Sequence, residues 1–166
     1  MTHVPKLIDA GHVERLHTRP HHLPYSIAQH SWGMAVLLYH LWPGKNPPSH
    51  QLVMSCLEHD LPEYQVGDVP RHTKERWPDL TSMLEKAERV TAAEMGVHIH
   101  SLSDAERDWL RGLDLLELYL FCLREEKFGN DLLLEVKAKC DELLNSSWVP
   151  EPVRQVHLNT KQEALL

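Results

Sequence analysis

The stretch CLEHDLPEYQVGDVP, residues 56–70, starts as the apolar end of a helix and then turns polar. His59 and Asp60 are adjacent, Glu63 follows three residues later, and Asp68 follows a glycine. Burying an unpaired carboxylate costs on the order of several kcal/mol, so such groups are paired, protonated or bound to a cation. The stretch therefore predicts a polar site at the end of a helix that belongs to the core.

Outward from this stretch, almost every periodic segment of the chain is helical. Serines stand at several predicted helix starts, and Ser103 opens the capping box SDAE. The predicted helices are a short one within 3–16, one from 26 to the PGKNPP segment, one from 49 to near 62, one over 79–96 with Asp79 as its cap, one from 103 to about 130, and one over 131–144. The segments between them are predicted loops, and the tail from Ser146 onward fits no clear pattern. The predicted fold is all-α, a compact helical bundle of about six helices.

The composition is that of an ordinary globular protein, with 42% hydrophobic and 25% charged residues. A length of 166 residues predicts a single domain over 1–166. The net charge of -7 argues against nucleic acid as a partner, because phosphate contacts need a basic surface. The start MTHVPKLIDAG matches neither a signal peptide nor a membrane span, and the three cysteines lack CxxC spacing. These features predict a cytoplasmic protein with buried free thiols.

Polar groups also interrupt the apolar faces of two other predicted helices. His30 shares a face with apolar residues, and Asp114 lies in the apolar stripe of the long helix after Ser103. Taken alone, His30 is more often a hydrogen-bonded core histidine than a ligand. The chain, however, has 13 histidines, where average composition suggests about four. If the three helices pack together, four side chains can converge on one divalent metal ion: His30, His59, Asp60 and Asp114.

Two imidazoles and two carboxylates suit zinc, cobalt, manganese or iron, and suit calcium or magnesium less well. The predicted cofactor is therefore a divalent metal ion, with zinc, cobalt or manganese favoured and magnesium a further option. Four ligands from three helices leave coordination positions open for water or substrate, as in catalytic rather than structural metal sites.

Three segments together resemble the HD-domain metal-dependent phosphohydrolases: AQHSWGMA (28–35), HDLPEYQVGDVP (59–70) and LDLLELYLFCLREEKFGN (113–130). Within that superfamily they are similar to the branch of bacterial 5'-deoxynucleotidases and phage dATP triphosphohydrolases. The resemblance runs from about Arg15 to Asn130. It implies an all-α bundle of the HD type, a divalent metal, a small-molecule deoxynucleotide substrate and a homo-oligomer.

The resemblance also implies roles for the residues at matching positions. The implied metal ligands are His30, His59, Asp60 and Asp114, the implied catalytic residues are Glu63 as acid/base and Asp68 as a second carboxylate, and the implied substrate contacts are Arg15 and Lys74 on phosphate with Arg19, Leu16, His17 and Pro70 nearby. Glu63 lies about one helical turn past Asp60, so it can face the same pocket. Asp68 either holds a sugar hydroxyl or orients water. On composition alone, Arg15, Arg19 and Lys74 would also fit a solvated surface.

The chain departs from the family pattern at two positions near the site. Gln29 stands before the first ligand histidine, where relatives often have glutamate. Leu16 follows the loop arginine, where relatives often have an aromatic residue that packs on the base. The first change is expected to tune the metal site, and the second leaves the base preference open.

The favoured function is a dNTP triphosphohydrolase of the dATP type, which would release triphosphate. Four cationic residues offer more positive charge than one phosphate needs: Arg15, Arg19, Arg71 and Lys74. The first alternative is a 5'-deoxynucleotidase that removes phosphate from dNMPs. A further alternative is an HD hydrolase of a signalling nucleotide such as (p)ppGpp, and the non-enzyme alternative is a helical interaction module with a vestigial metal site.

Overall fold

The computed structural model describes residues 4–163, and it consists of helices joined by loops. The α-helices are α1 (Val4–Ala10), α2 (Ile27–Leu41), α3 (His50–Glu58), α4 (Arg71–Arg76), α5 (Pro78–Met95), α6 (Asp104–Lys127), α7 (Leu134–Leu144) and α8 (Glu151–Glu163). Two short 3-10 helices, Leu61–Tyr64 and Asp131–Leu133, precede α4 and α7. Within residues 4–163 the one extended pairing is an isolated antiparallel bridge between Glu14 and Ser26.

The described part of the chain has eight α-helices, where about six were predicted. The added helices are α4, which lies inside the predicted loop before residue 78, and α8, which lies in the unassigned tail. The helix α4 is short and has no buried side chain that would give it an apolar stripe. The helix α8 lies in a segment whose sequence shows no clear helical pattern. The first helix lies within the predicted span 3–16, and the chain leaves α1 after Ala10 through turns in which Gly11 donates to the carbonyl of Ile8.

The predicted cap of α5 was wrong by two residues. Trp77 is the N-cap, and Pro78 occupies the first helical position. Proline suits that position because its missing N–H would have no helical partner there and its fixed φ matches a helix. The predicted end at Gly96 is confirmed, since its φ of 71° is the left-handed conformation that glycine adopts readily.

The helix α6 is the central element of the bundle, and α2, α3, α7 and α8 all pack against it. Ser103 caps α6 and Glu106 bonds back to Ser103, so the predicted capping box is present. Ser49, the cap of α3, also donates to Glu106 over 2.6 Å, which joins the starts of α3 and α6. Residues from both helices, including Leu52 and Leu116, are fully buried in the same apolar cluster. This packing brings the end of α3 against the middle of α6.

The loop between α1 and α2 is held onto the far end of α6 by a buried carboxylate. Glu125 is fully buried, and it accepts hydrogen bonds of 2.8 Å from the backbone N–H groups of His22 and Leu23. Asn130 donates both to Glu125 and to the carbonyl of Pro20. These contacts fix the loop against the end of α6.

The cysteines agree with the prediction, since Cys56, Cys122 and Cys140 are free and buried. No helix within residues 4–163 is both long enough and apolar enough to cross a bilayer.

Candidate metal centre

The predicted ligands from α2, α3 and α6 meet at one place. His30 is fully buried, and its Nε2 lies 3.2 Å from Asp114 Oδ1 and 3.7 Å from Asp60 Oδ2. His59 Nε2 lies 3.3 Å from the same Asp60 oxygen. Ligand atoms of His30, His59 and Asp60 all lie within 4.8 Å of one another. These three side chains form a group that can hold a metal ion, and Asp114 borders it.

The hydrogen bonding of the two histidines points both free nitrogens at this group. The Nδ1 atom of His59 lies 3.0 Å from the carbonyl of Ser55, and a carbonyl can only accept, so Nδ1 carries the hydrogen. His30 Nδ1 lies 2.6 Å from a Glu117 carboxylate oxygen and donates in the same way. In both residues Nε2 is buried without a hydrogen-bond partner. Two buried imidazole nitrogens beside a carboxylate fit zinc, cobalt or manganese.

The charged side chains of this group shift one another's pKa values toward the charged forms. Burial alone would raise the pKa of Asp60, but the neighbouring His59 and Arg15 outweigh it and hold that pKa well below its usual range. Burial lowers the pKa of His59, and the Asp60 carboxylate reverses this and raises it to about 9. Asp60 is therefore ionised at neutral pH and available as a ligand.

Asp114 lies on the solvent-facing side of the metal-binding group, which is called the cleft below, rather than in the apolar core. Its side chain is 42% exposed, although sequence periodicity placed it in the buried stripe of α6. Burial would raise its pKa, and the adjacent His30 and Arg15 lower it instead. The exposed carboxylate can thus contact both an ion and a ligand that enters from solvent.

Arg15 is brought directly onto the carboxylates of the group. Its guanidinium pairs with Asp60, lies 3.6 Å from Asp114 Oδ1, and is buried over the ring of Tyr25 at 5.5 Å. The backbone N–H of Arg15 bonds to the carbonyl of Tyr25, which fixes the loop beside α2. A buried guanidinium at this point adds fixed positive charge to the cleft.

Glu63 lies next to the group without belonging to it. It is 6% exposed on the 3-10 helix after α3, and its Oε2 has no hydrogen-bond partner. Lys74 Nζ is 3.9 Å from the other carboxylate oxygen. Burial, with repulsion from Asp60 and Asp68, raises the pKa of Glu63 to about 9. The raised pKa favours the protonated form of the carboxyl, which is the state a general acid needs.

Asp68 has a contact that the sequence did not predict. Its Oδ2 accepts a 2.9 Å hydrogen bond from the backbone N–H of Leu16. Leu16 has a φ of 54°, a conformation that non-glycine residues adopt rarely and that clusters at functional sites. Asp68 therefore holds the loop that carries Arg15 against the turn after Gly67, beside the metal-binding group.

The remaining predicted substrate contacts differ in whether they lie near this group. Pro70 precedes α4, and Lys74 on α4 faces both Glu63 and Glu88, the second at 3.8 Å. Arg19 instead bonds to Glu135 at 2.7 Å, and His17 is exposed. The structure therefore brings Lys74 to the cleft and leaves Arg19 paired elsewhere.

A cavity of about 510 Å³ opens beside the group, on the side of α3 and α5. His59 forms part of its wall, together with Glu88 from α5, His100 from the following loop, and Leu110 from α6. Its volume is in the range of small-molecule sites.

Two residues near the group were missed by the sequence analysis, Tyr25 and Glu117. Glu117 follows Asp114 by three positions on α6, so helical spacing placed it on the same face and was the available signal. Tyr25 precedes α2 in a loop, and no sequence pattern connects it to the site.

A family model described as HD domain matches residues 12–108, more than half of the chain. The chain belongs to the HD domain family. It is similar to the dATP triphosphohydrolase of Cyanophage S-2L, with 26% identity over 124 residues that cover 73% of this chain and 70% of that protein. It also shares its fold with the solved structure of the Cyanophage S-2L HD phosphohydrolase (DatZ) bound to dA and one catalytic Zn2+ ion. That likeness has a TM-score of 0.71 and 21% identity, and it covers 99% of this chain and 97% of the other.

These findings confirm three predictions made from the sequence. They are the membership in the HD-domain phosphohydrolases, the all-α bundle of the HD type, and a divalent metal as cofactor, which the group of His30, His59 and Asp60 is able to hold.

Proposed function

We propose that this protein is a metal-dependent phosphohydrolase of 2'-deoxynucleoside 5'-phosphates, and that it releases triphosphate from a dNTP of the dATP type. The observation that carries the proposal is the convergence of two unpartnered Nε2 atoms, from His30 and His59, on Asp60. Asp114 is proposed as the fourth ligand. The similarity to a phage dATP triphosphohydrolase supports the choice of substrate.

When bound at these residues, a divalent ion supplies Lewis-acid chemistry toward the phosphoryl group and toward water. The residues of the chain do the positioning. The Arg15 guanidinium, already directed at the carboxylates of Asp60 and Asp114, would bind a phosphoryl oxygen by charge-assisted hydrogen bonds. Lys74, at the edge of the cleft near Glu63, would offset the remaining negative charge.

The proposed chemistry needs a proton at the leaving oxygen. In a monophosphate and in a triphosphate alike, water attacks the α-phosphorus and forms the new P–O bond while the bond from that phosphorus to the 5' oxygen of the sugar breaks. An alkoxide is a poor leaving group. Glu63 is buried, its pKa is raised by burial and by the neighbouring carboxylates, and its Oε2 has no hydrogen-bond partner. We assign it the transfer of that proton to the 5' oxygen. Asp68 supports the reaction by holding the Leu16 backbone, and thereby Arg15, in place.

The choice between triphosphate and monophosphate substrates depends on the groups beyond the first phosphate. Two of the four predicted cations are engaged away from the cleft, since Arg19 pairs with Glu135 and Arg71 pairs with Glu75. Only Arg15 and Lys74 of that set face the cleft, which favours the second candidate, a 5'-deoxynucleotidase acting on dNMPs. The relative's activity favours the triphosphohydrolase.

Product analysis separates the two candidates. The protein is incubated with dATP and, separately, with dAMP in the presence of Mn²⁺ or Co²⁺, and the products are separated by ion-exchange chromatography. We expect deoxyadenosine and intact triphosphate from dATP, with little phosphate from dAMP. Phosphate from dAMP with dATP untouched would establish the second candidate, and turnover of neither would contradict both. A matched reaction with (p)ppGpp tests the signalling alternative.

The proposal includes two properties implied by the family resemblance alone. The substrate is a small molecule, in agreement with the net charge of -7, which disfavours binding to nucleic acid. A homo-oligomer is also expected, and light scattering of the purified protein measures it.

A further inference from the structure

Glu117 is a buried carboxylate that the ligand set leaves without a role. It is 7% exposed in the middle of α6, one turn after Asp114. Within residues 4–163, no lysine or arginine lies within ion-pair distance of it, and the one basic side chain that it contacts is His30. A buried carboxylate without such compensation is costly, so its retention at this position needs an explanation.

One oxygen of Glu117 collects two short hydrogen bonds. The Tyr25 hydroxyl donates to Oε2 over 2.6 Å, and His30 Nδ1 donates to the same oxygen over 2.6 Å. The Tyr25 hydroxyl and His30 Nδ1 are themselves 3.4 Å apart, so the three groups form a closed triangle. A carboxylate acceptor requires the hydrogen of a neutral His30 to sit on Nδ1, which leaves the Nε2 lone pair facing Asp60 and Asp114.

The surroundings are shaped to hold this triangle. A Cβ at Gly33, one turn after His30 on α2, would lie 2.8 Å from Glu117 Cγ, so the absence of a side chain there lets Glu117 approach α2. Tyr25 is fixed by stacking on Phe121, with ring centroids 3.9 Å apart and an interplanar angle of 12°. The carboxylate is thus immobilised from α2, from α6 and from the loop before α2.

We propose that Glu117, held by Tyr25, is a positioning residue of the metal centre. It fixes the ring angle and tautomer of His30 and increases the basicity of Nε2, so that the metal is bound more tightly. Partners of this kind behind a ligand histidine contribute about 10–100-fold to metal affinity. The proposal rests on the metal centre of the proposed function, but it does not require any particular nucleotide substrate.

The test is a Co²⁺ titration of the full chain without nucleotide, followed by the visible absorption of bound Co²⁺ and by chelator competition. Glu117→Gln removes the charge but keeps the size, and we expect it to bind Co²⁺ about 10–100-fold more weakly. Tyr25→Phe keeps the bond between Glu117 and His30, and it should lose less affinity. Glu126→Gln is the control, because it neutralises another carboxylate of α6, which pairs with Lys137 of α7 and does not contact His30. It should keep the parent's Co²⁺ affinity.

Thermal unfolding with EDTA reports folding independently of the metal. Glu117→Gln that folds and binds Co²⁺ like the parent would overturn the proposal. If this variant does not fold, Gly33→Ala decides, because its methyl group crowds Glu117 while both bonding partners remain. Weaker Co²⁺ binding by Gly33→Ala supports the proposal and parent-like binding rejects it. A parent that binds Co²⁺ without hydrolysing nucleotides would refute the proposed function alone, whereas a parent that binds no Co²⁺ would refute both.

Discussion

Asp60→Ala is expected to abolish both metal binding and hydrolysis. The Asp60 carboxylate lies within 3.7 Å of the Nε2 atoms of His30 and His59. These three residues form the group that can hold a metal in the described part of the chain, and Asp60 is its one carboxylate. Removing even a partner behind a ligand costs about 10–100-fold in affinity, so loss of a ligand should exceed 100-fold. The ion content of the purified protein, measured by plasma mass spectrometry, and the rate of dATP hydrolysis should both fall to background.

The control for this variant is Asp104→Ala. Asp104 lies on α6 and pairs with Arg107 at an exposed position, far along the helix from Asp114. It should keep the metal content and rate of the parent. If Asp60→Ala retained its full complement of metal, the assignment of His30, His59 and Asp60 as the metal site would be wrong.

Glu63→Gln is expected to keep the metal and lose the rate. The substitution preserves the size of the buried side chain but removes the carboxyl proton that the reaction would use. General acid–base groups contribute about 100–10,000-fold, so kcat for dATP should fall by that factor, while ion content stays at the parent's level. Steady-state kinetics with saturating Mn²⁺ or Co²⁺, together with ion content, measures the two effects separately.

Glu75→Gln provides the comparison, because Glu75 is exposed on α4 and bonds to Arg71 on the surface. It should behave as the parent does. A kcat within a few-fold of the parent in Glu63→Gln would exclude the proton-transfer role. Loss of metal together with rate would instead make Glu63 a ligand.

The candidate metal-binding group could be predicted from the sequence because polar side chains occupy helix positions that are expected to be buried. His30 and His59 stand on apolar faces of helices. A buried imidazole there needs a hydrogen-bond partner or a metal ion, and the ligands of that ion come from other helices. The helical repeat therefore indicated which side chains turn inward, and the HD-domain pattern indicated which helices meet. The same repeat placed Asp114 too deep, because periodicity gives the face of a helix but not the point along it where the core ends.

The hydrogen bonds that hold the site in place were harder to predict from the sequence, because they join distant segments and involve backbone groups. Asp68 bonds to the N–H of Leu16, and Glu125 bonds to the N–H groups of His22 and Leu23. A backbone amide has no residue type, so the sequence carries no sign of which amide a carboxylate will meet. The pairing of Arg19 with Glu135 is similar, because it depends on how α7 follows the second 3-10 helix.

The missed helices have a different cause. The helix α4 has six residues and no buried side chain, so it lacks the periodic apolar stripe by which the longer helices are recognised. The helix α8 buries Val153 and His157, and the histidine bonds to Asp141 of α7. A polar residue at a core position weakens the stripe in the sequence, although its partner makes it stable in the fold.

The most direct test of the central claim is the position of the metal itself. Crystals grown with Zn²⁺ are measured above and below the zinc absorption edge, and an anomalous difference map locates the ion. We expect one strong peak per chain, at about 2.0–2.2 Å from the Nε2 atoms of His30 and His59 and from a carboxylate oxygen of Asp60 and of Asp114. A zinc peak elsewhere in the chain, with these four side chains bonded only to one another, would contradict it.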